Sequence, residues 1–213
     1  MRKLATTILV ILVFAYEAAV ASPSNKQQWS FRVLLDGKPV GEQNFVVTNE
    51  NGLTRLETEA DFRVKFLFAT VYRYEHQNVE TWDGNCLTGI ESTTDANGQP
   101  FSVTGQKKEG YFEVIGEDSR TKLPDCVMSF AYWNPDFLQH ERLLNSQNGE
   151  YMEVEVSAAQ PDTRMVRGER VPALRYQLKA GDLDLRLWYS TNDEWLALES
   201  ITEGDRVLSY ELL

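Results

Sequence analysis

Apolar and polar side chains alternate along residues 56–75 of this chain. Even positions carry side chains such as Leu56 and Phe62, while most odd positions carry charges such as Glu57. This period of two predicts β-structure with one face in a core and the other in water, a pattern that a helix cannot present. An unbroken strand of this length would exceed about 60 Å, so we expect a turn near residues 67–70.

Similar alternating segments recur along the chain, separated by turn clusters rich in Gly, Asn and Asp. Asp36-Gly37 joins residues 29–35 to residues 40–48, and Asp-Gly is typical of a tight hairpin. Residues 151–212 are predicted to contain four strands in a meander. The pattern predicts an all-β fold with minor α content, arranged as an antiparallel β-barrel or half-barrel, because curling removes exposed sheet edges.

One interval breaks the β pattern. Between Pro135 and Asn145 the apolar residues are spaced three and four apart, and Pro135 suits a first helical turn. We expect a short helix here, acting as a plug or lid at one end of the barrel. No linker or repeat divides the chain, so residues 22–213 are predicted to form a single antiparallel β-barrel-like domain.

The first 21 residues have the pattern of a cleavable signal peptide. Arg2 and Lys3 precede an apolar run at residues 8–15, and a small-x-small cleavage site ends at Ala21. The apolar run is shorter than the roughly 20 residues that span a bilayer. We therefore expect residues 1–21 to be removed and the mature protein to lie in the periplasm without stable membrane insertion.

Composition narrows the choice of partners. The chain has 21 basic and 32 acidic side chains, a formal net charge of −11. An acidic surface repels phosphates at long range, so nucleic acid is excluded as a partner. A transmembrane barrel is the alternative to a periplasmic one, but charges such as Arg63 and Lys65 would then face lipid or a lumen.

The chain has two cysteines, Cys86 and Cys126. In an exported protein an even pair predicts a disulfide. Two buried free thiols or a redox pair are the alternatives, although redox pairs are usually close in sequence, as in Cys-x-x-Cys.

The sequence contains no recognisable catalytic motif. His140-Glu141 begins like the zinc-protease motif His-Glu-x-x-His, but Leu144 stands where the second histidine is needed. A nucleophile elbow, a phosphate-binding glycine loop and a dinucleotide fingerprint are also missing from the sequence. We predict no catalytic residue, no metal and no cofactor, and we keep an enzyme acting on envelope glycans or lipids as an alternative.

Aromatic residues supply the candidate binding site. In a barrel with a plug, inward aromatic side chains either fill the core or line an apolar cavity. If there is a cavity, its ligand is hydrophobic, such as a lipid or acyl chain. The predicted ligand-binding residues flank the predicted helix or lie on a late strand: Tyr132, Trp133, Asn134, Trp188 and Tyr189.

Three stretches of the chain resemble an uncharacterised family of exported Gram-negative bacterial β-rich proteins, described only as a domain of unknown function. They are residues 29–41, residues 132–149 and residues 187–212. The resemblance implies a periplasmic β protein, and it implies no reaction and no catalytic residue.

The leading functional hypothesis is a periplasmic, non-enzymatic protein that binds a hydrophobic ligand in envelope maintenance. An alternative is an interaction or assembly protein with a solid core, which docks an envelope protein through a sheet edge or its acidic face.

Overall fold

The structure is a computed structural model that describes residues 25–66, 69–117 and 119–213. The predicted signal peptide, residues 1–21, lies outside the described part of the chain. The described residues form two 3-10 helices, Pro135–Gln139 and Glu203–Asp205, and sixteen β-strands. The strands are β1 (Asn25–Leu35), β2 (Lys38–Glu50), β3 (Leu53–Phe66), β4 (Ala69–Asp83), β5 (Cys86–Ala96), β6 (Gln99–Lys108), β7 (Tyr111–Ile115), β8 (Arg120–Leu123), β9 (Arg142–Leu144), β10 (Tyr151–Glu153), β11 (Glu155–Val156), β12 (Gln160–Val166), β13 (Glu169–Ala180), β14 (Leu183–Tyr189), β15 (Trp195–Thr202) and β16 (Arg206–Leu212).

Fourteen of the strands form one antiparallel sheet. Its order is β11-β13-β14-β15-β16-β1-β2-β3-β4-β5-β6-β7-β8, with β12 also pairing with β13. The first and last strands meet in the middle of this order, with Phe31 opposite Leu212. Within the described strands β8 and β11 are not paired with each other, so the sheet is open. The predicted all-β fold is confirmed, in its half-barrel form.

The alternating segment forms the long β3–β4 hairpin. Phe66 pairs with Ala69, so the strands meet at residues 67–68, which are outside the described residues. Along β3 the even positions from 56 to 62 are buried, as predicted, including Leu56, Ala60 and Phe62. The period of two therefore identified the inward face of this hairpin correctly.

The sheet curls around one main core. Phe31 of β1 packs against Trp195 of β15, with ring centroids 4.3 Å apart. Phe112 of β7 and Leu178 of β13 stand near opposite ends of the strand order, yet both belong to the same buried cluster. Residues so far apart in a sheet share a core only if the sheet is strongly curved.

A stretch that we call the plug segment, residues 124–150, crosses the inner face of the curled sheet. At one end Leu87 of β5 donates a backbone hydrogen bond to the Val127 carbonyl, at 2.9 Å. Further along, the Tyr132 ring lies 5.4 Å from that of Trp195 on the far side of the half-barrel. Phe137 is fully buried in the main core. The plug segment thus lies between the two sides of the curled sheet and contacts both.

The predicted helix is shorter than expected. The predicted start is correct, because Pro135 stands in the first turn of the 3-10 helix Pro135–Gln139, where the Asn134 side chain also accepts the Asp136 N–H. His140 is already extended, and Arg142–Leu144 is strand β9, which pairs with β10. The helical prediction was wrong over residues 140–145, where two consecutive leucines are both buried in an extended segment.

The predicted disulfide joins Cys86 to Cys126, with a Cα–Cα distance of 4.8 Å. Cys86 begins β5, and Cys126 lies in the plug segment. The bond therefore ties the plug segment to the sheet near the point where the segment leaves it. Of the helices among the described residues, none has the length and apolar character to cross a membrane.

Candidate functional site

A cavity of about 720 Å³ lies between the inner face of the half-barrel and the plug segment. This volume falls within the range typical of small-molecule sites. Most of its wall is apolar or aromatic. The apolar and phenolic lining residues are Leu35, Val40, Phe45, Leu56, Phe62, Val64, Val71, Tyr72, Tyr74, Phe130, Tyr132, Leu183, Leu185, Leu198, Leu208 and Tyr210.

The cavity follows strand β4 from an exposed mouth to a buried floor. Along its inner face, Tyr72 is 40% exposed, His76 is 6% exposed and Glu80 is 2% exposed. Eight residues of strand span about 26 Å. The cavity is therefore elongated along β4, a shape that suits an extended chain better than a compact molecule.

A β-bulge shapes the mouth. Val64 pairs with Tyr72 and Lys65 pairs with Thr70, which leaves Val71 as an extra residue on β4. An extra residue in one strand redirects its side chains. Both Val71 and Tyr72 consequently line the cavity, and Val71 is 52% exposed. The mouth presents apolar surface to solvent.

Aromatic rings form the middle of the wall. The Phe62 and Tyr74 rings are stacked with centroids 5.3 Å apart, and Tyr210 meets Phe62 edge-on at 6.2 Å. The Tyr74 hydroxyl donates to Gln147 of the plug segment at 3.1 Å. Burial raises the pKa of the Tyr74 and Tyr210 hydroxyls above their ordinary value, so both side chains are neutral.

The floor of the cavity is polar. Glu80 accepts hydrogen bonds from Asn78 Nδ2 at 3.0 Å, from Trp82 Nε1 at 3.1 Å and from Ser129 Oγ at 3.2 Å. Burial raises the pKa of the Glu80 carboxyl, and these three hydrogen bonds act in the opposite direction. Ser129 belongs to the plug segment, so Glu80 also fixes that segment to β4.

Two atoms of the floor lack a hydrogen-bond partner among the described residues. They are Thr58 Oγ1 and Asn78 Oδ1, on side chains that are 7% and 4% exposed. A buried polar atom left unpaired costs about 1–3 kcal/mol. Such atoms are therefore usually paired, either with the protein or with an occupant of the adjoining space.

His76 lies between the floor and the aromatic wall. Its Nδ1 is 2.8 Å from Thr94 Oγ1 on the neighbouring strand. Burial lowers the pKa of His76 to about 4, so its ring is uncharged at neutral pH. In the part of the chain that the structure describes, no group of three or more His, Cys, Asp or Glu side chains is placed to hold a metal ion.

Of the five predicted ligand-binding residues, Tyr132 lines the cavity. Tyr189 is fully buried behind it and donates its hydroxyl to the Tyr132 carbonyl at 2.7 Å. The structure therefore brings these two residues together, Tyr132 as wall and Tyr189 as its support.

The other three predicted residues are placed elsewhere. The Trp133 ring packs against Trp82 with centroids 6.0 Å apart, and Asn134 donates to Asn85 at 3.1 Å. Trp188 lies on the outer face of β14, where its indole N–H donates to Asp162 at 2.9 Å. These residues are not among the described side chains that line the cavity.

The polar floor was missed in the sequence, although a signal for it was present. Thr58 belongs to the even set that the alternating pattern placed inside, and the inward positions of β4 continue through His76, Asn78 and Glu80. A polar side chain at a predicted inward position is the feature that marks a site, because a filled core would place an apolar residue there.

The fold and cavity define an open, barrel-like antiparallel β protein with a mainly apolar cavity between the sheet and the plug segment. The chain belongs to the family described as domain of unknown function DUF6134, whose sequence model matches residues 31–212. The resemblance to an uncharacterised β-rich family is thereby confirmed.

The chain is also similar to a crystal structure of a beta-barrel-like protein of domain of unknown function DUF1849 from Brucella abortus. The two share 10% sequence identity with a TM-score of 0.62, over 87% of this chain and 94% of the other. At this identity the likeness concerns the fold alone. No curated protein matches the chain.

Proposed function

We propose that this protein binds a hydrophobic ligand, such as a lipid or acyl chain, as a periplasmic, non-enzymatic component of envelope maintenance. The observation that carries the proposal is the long cavity of about 720 Å³ with its mainly apolar and aromatic wall. The cavity favours ligand binding over the alternative of a docking protein with a solid core.

The physical features of the cavity support this function. Apolar surface gains roughly 25 cal/mol per Å² when it is removed from water, so an acyl chain is favoured along a wall such as that of Phe62, Leu198 and Leu208. The exposed apolar side chains at the mouth, Val71 and Tyr72, give such a chain a path of entry.

The periplasmic part of the proposal is supported by the signal-peptide pattern of residues 1–21 and by the Cys86–Cys126 disulfide. Disulfides persist in oxidising compartments and are rare in the cytosol.

The test is to express the full chain, purify the protein from the periplasm, record a native mass spectrum and analyse an organic extract of the same sample. We expect a bound hydrophobic species at near-stoichiometric occupancy. A variant with Ser200→Trp, which places a large ring inside the cavity, should lose this species and bind Nile red at least tenfold more weakly, because the added ring takes up the space of the ligand.

Ser209→Trp is the matched control. Ser209 lies on the neighbouring strand β16, in a groove on the outer face of the sheet, so the same substitution leaves the cavity open. A ligand-free mass for the natural protein, together with equal Nile red binding by the two variants, would contradict the proposed function.

A further inference from the structure

The polar floor of the cavity has the chemistry of a headgroup site. Thr58 and Asn78 are directly opposite each other on β3 and β4. Side chains in such pairs have Cβ atoms about 4.5–5.5 Å apart, so one ligand atom can reach both. Thr58 Oγ1 can donate or accept a hydrogen bond, whereas Asn78 Oδ1 can only accept one.

The orientation of Asn78 is set by its neighbour. Its amide nitrogen donates to Glu80 Oε1 at 3.0 Å, which leaves Oδ1 as the free end of the side chain. The oxygens of Glu80 are themselves occupied by three donors. Among the described residues no donor is placed to bond Asn78 Oδ1, a buried acceptor atom on a residue that is 4% exposed.

The charges around the floor restrict the ligand further. Arg206 is the single Lys or Arg among the described lining residues, and its side chain bonds Asp36 at 2.8 Å at the mouth. His76 is uncharged at neutral pH. A carboxylate or phosphate at the floor would meet Glu80 and find no cation, and burying an unpaired charge is costly.

We propose that Thr58 and Asn78 bind an uncharged headgroup with a hydrogen-bond donor, such as the hydroxyl of a fatty alcohol or monoacylglycerol, in preference to a fatty acid carboxylate. This inference rests on the proposed function and names its ligand class. A hydroxyl donates to Asn78 Oδ1 while it accepts from Thr58 Oγ1, and its tail follows the aromatic wall toward Tyr72. A carboxylate offers acceptors alone and leaves Asn78 Oδ1 unpaired.

The experiment compares three probes with the same sixteen-carbon chain, measured by displacement of Nile red at pH 7.5 from the full-length, periplasm-purified protein. Hexadecanol offers a donor and an acceptor, methyl palmitate offers acceptors without charge, and palmitate offers acceptors with charge. We expect hexadecanol to bind about fivefold more tightly than methyl palmitate, the scale of one net hydrogen bond, and palmitate to bind more weakly than both.

Two variants test whether the preference for hexadecanol arises at the polar floor of the cavity. Thr58→Val keeps the size of the side chain, removes the hydroxyl, and should weaken hexadecanol binding about fivefold. Ser92→Ala is the matched control, because Ser92 is also a buried unpaired hydroxyl, opposite Asn78 on β5, but does not line the cavity. This control should bind all three probes as the natural protein does.

The outcomes separate this inference from the proposed function. Equal binding of the three probes, lost in Ser200→Trp, would overturn the headgroup assignment and leave hydrophobic binding standing. Unchanged hexadecanol binding in Thr58→Val would also overturn the assignment. Failure of all three probes to displace the dye, with no bound species in the native mass spectrum, would remove the proposed function and this inference together.

Discussion

At the residue scale, the inner face of β4 combines two kinds of side chain that are seldom found together in a filled core. Tyr74 and Trp82 are aromatic, while His76, Asn78 and Glu80 between them are polar and buried. Burying polar groups costs free energy unless they are paired. The hydrogen bonds of Glu80 and the Thr94 contact of His76 offset this cost for those two residues.

His76 makes the stability of the protein depend on pH. Burial lowers the pKa of His76 to about 4, against an ordinary value of 6.5, so the unfolded chain takes up a proton below about pH 6.5 while the folded protein does not. The stability that depends on the uncharged His76 ring is therefore present above pH 6.5 and is lost as the pH falls toward 4. His76→Gln removes the ionisable ring, and urea titrations at pH 7 and pH 4.5 should show the natural protein losing roughly 2–3 kcal/mol more than the variant.

Comparing the natural protein with His76→Gln isolates the contribution of His76 to the pH dependence of stability. Burial raises the pKa of Glu80, so this residue changes the free energy of unfolding with pH in the opposite direction. Glu80 is present in both proteins, so its effect cancels when the two pH dependences are subtracted. Equal losses in the natural protein and in His76→Gln would show that the ring does not remain neutral when folded.

At the element scale, the plug segment is held to the sheet by several specific links. Four of them are the backbone hydrogen bond from Leu87 to Val127, the Ser129–Glu80 and Tyr189–Tyr132 hydrogen bonds and the Cys86–Cys126 disulfide. Three of these four links reach the β4–β5 side, and the Tyr189–Tyr132 hydrogen bond reaches β14 on the other side. The plug segment therefore bridges the two halves of the curled sheet.

The disulfide should contribute strongly to stability. It closes a separation of 40 residues, and a loop of that size corresponds to about 4 kcal/mol in the chain-entropy description. Replacing both cysteines, Cys86→Ser with Cys126→Ser, should lower the free energy of unfolding by about that amount in urea titrations. Dithiothreitol should destabilise the natural protein to the same extent and leave the double variant unaffected; no effect of either treatment would contradict the prediction.

The elements that could be predicted from the sequence are those in which the alternation of apolar and polar side chains repeats many times. The β3–β4 hairpin was predicted because its alternation continues over most of two long strands. The short strand β9, Arg142–Leu144, offers too few positions for a period to be recognised, and its two leucines also fit a helical face. Pro135 correctly indicated a helical start, but no stop signal such as glycine stands at the end of the helix near Gln139.

At the scale of the whole molecule, the decisive contacts join residues that are distant in sequence. The meander of consecutive hairpins was predictable, but the pairing of β1 with β16 depends on the closure of nearly the whole chain. The cavity has the same origin, because its wall combines strands β2 to β4 with strands β14 to β16 and with the plug segment. For this reason the sequence indicated Tyr132 but could not indicate that the inward side chains of the β3–β4 hairpin face the same space as Leu198 and Leu208.

The open sheet predicts a gradient of local stability. Strands β16, β1 and β2 are central and paired on both sides, whereas β8 and β11 lie at the two ends of the strand order. Native-state hydrogen exchange measured by mass spectrometry should find the strongest protection in the central strands and the weakest in β8 and in β11 with β12. Equal protection of β8 and β1 would indicate that the sheet closes in solution.

The cavity wall is built partly by the sheet and partly by the plug segment, and this affects how the sequence of such a protein can diverge. Hydrogen bonds fix the strands of the fourteen-stranded sheet, while Phe130, Tyr132 and Gln147 belong to a segment whose strand β9 pairs with β10 outside that sheet. Substitutions in residues 124–150 outside β9 can therefore reshape the cavity without disturbing the register of the large sheet. Under the proposed function, selection for a new ligand can act on this one stretch, so relatives that share the half-barrel are free to bind different molecules.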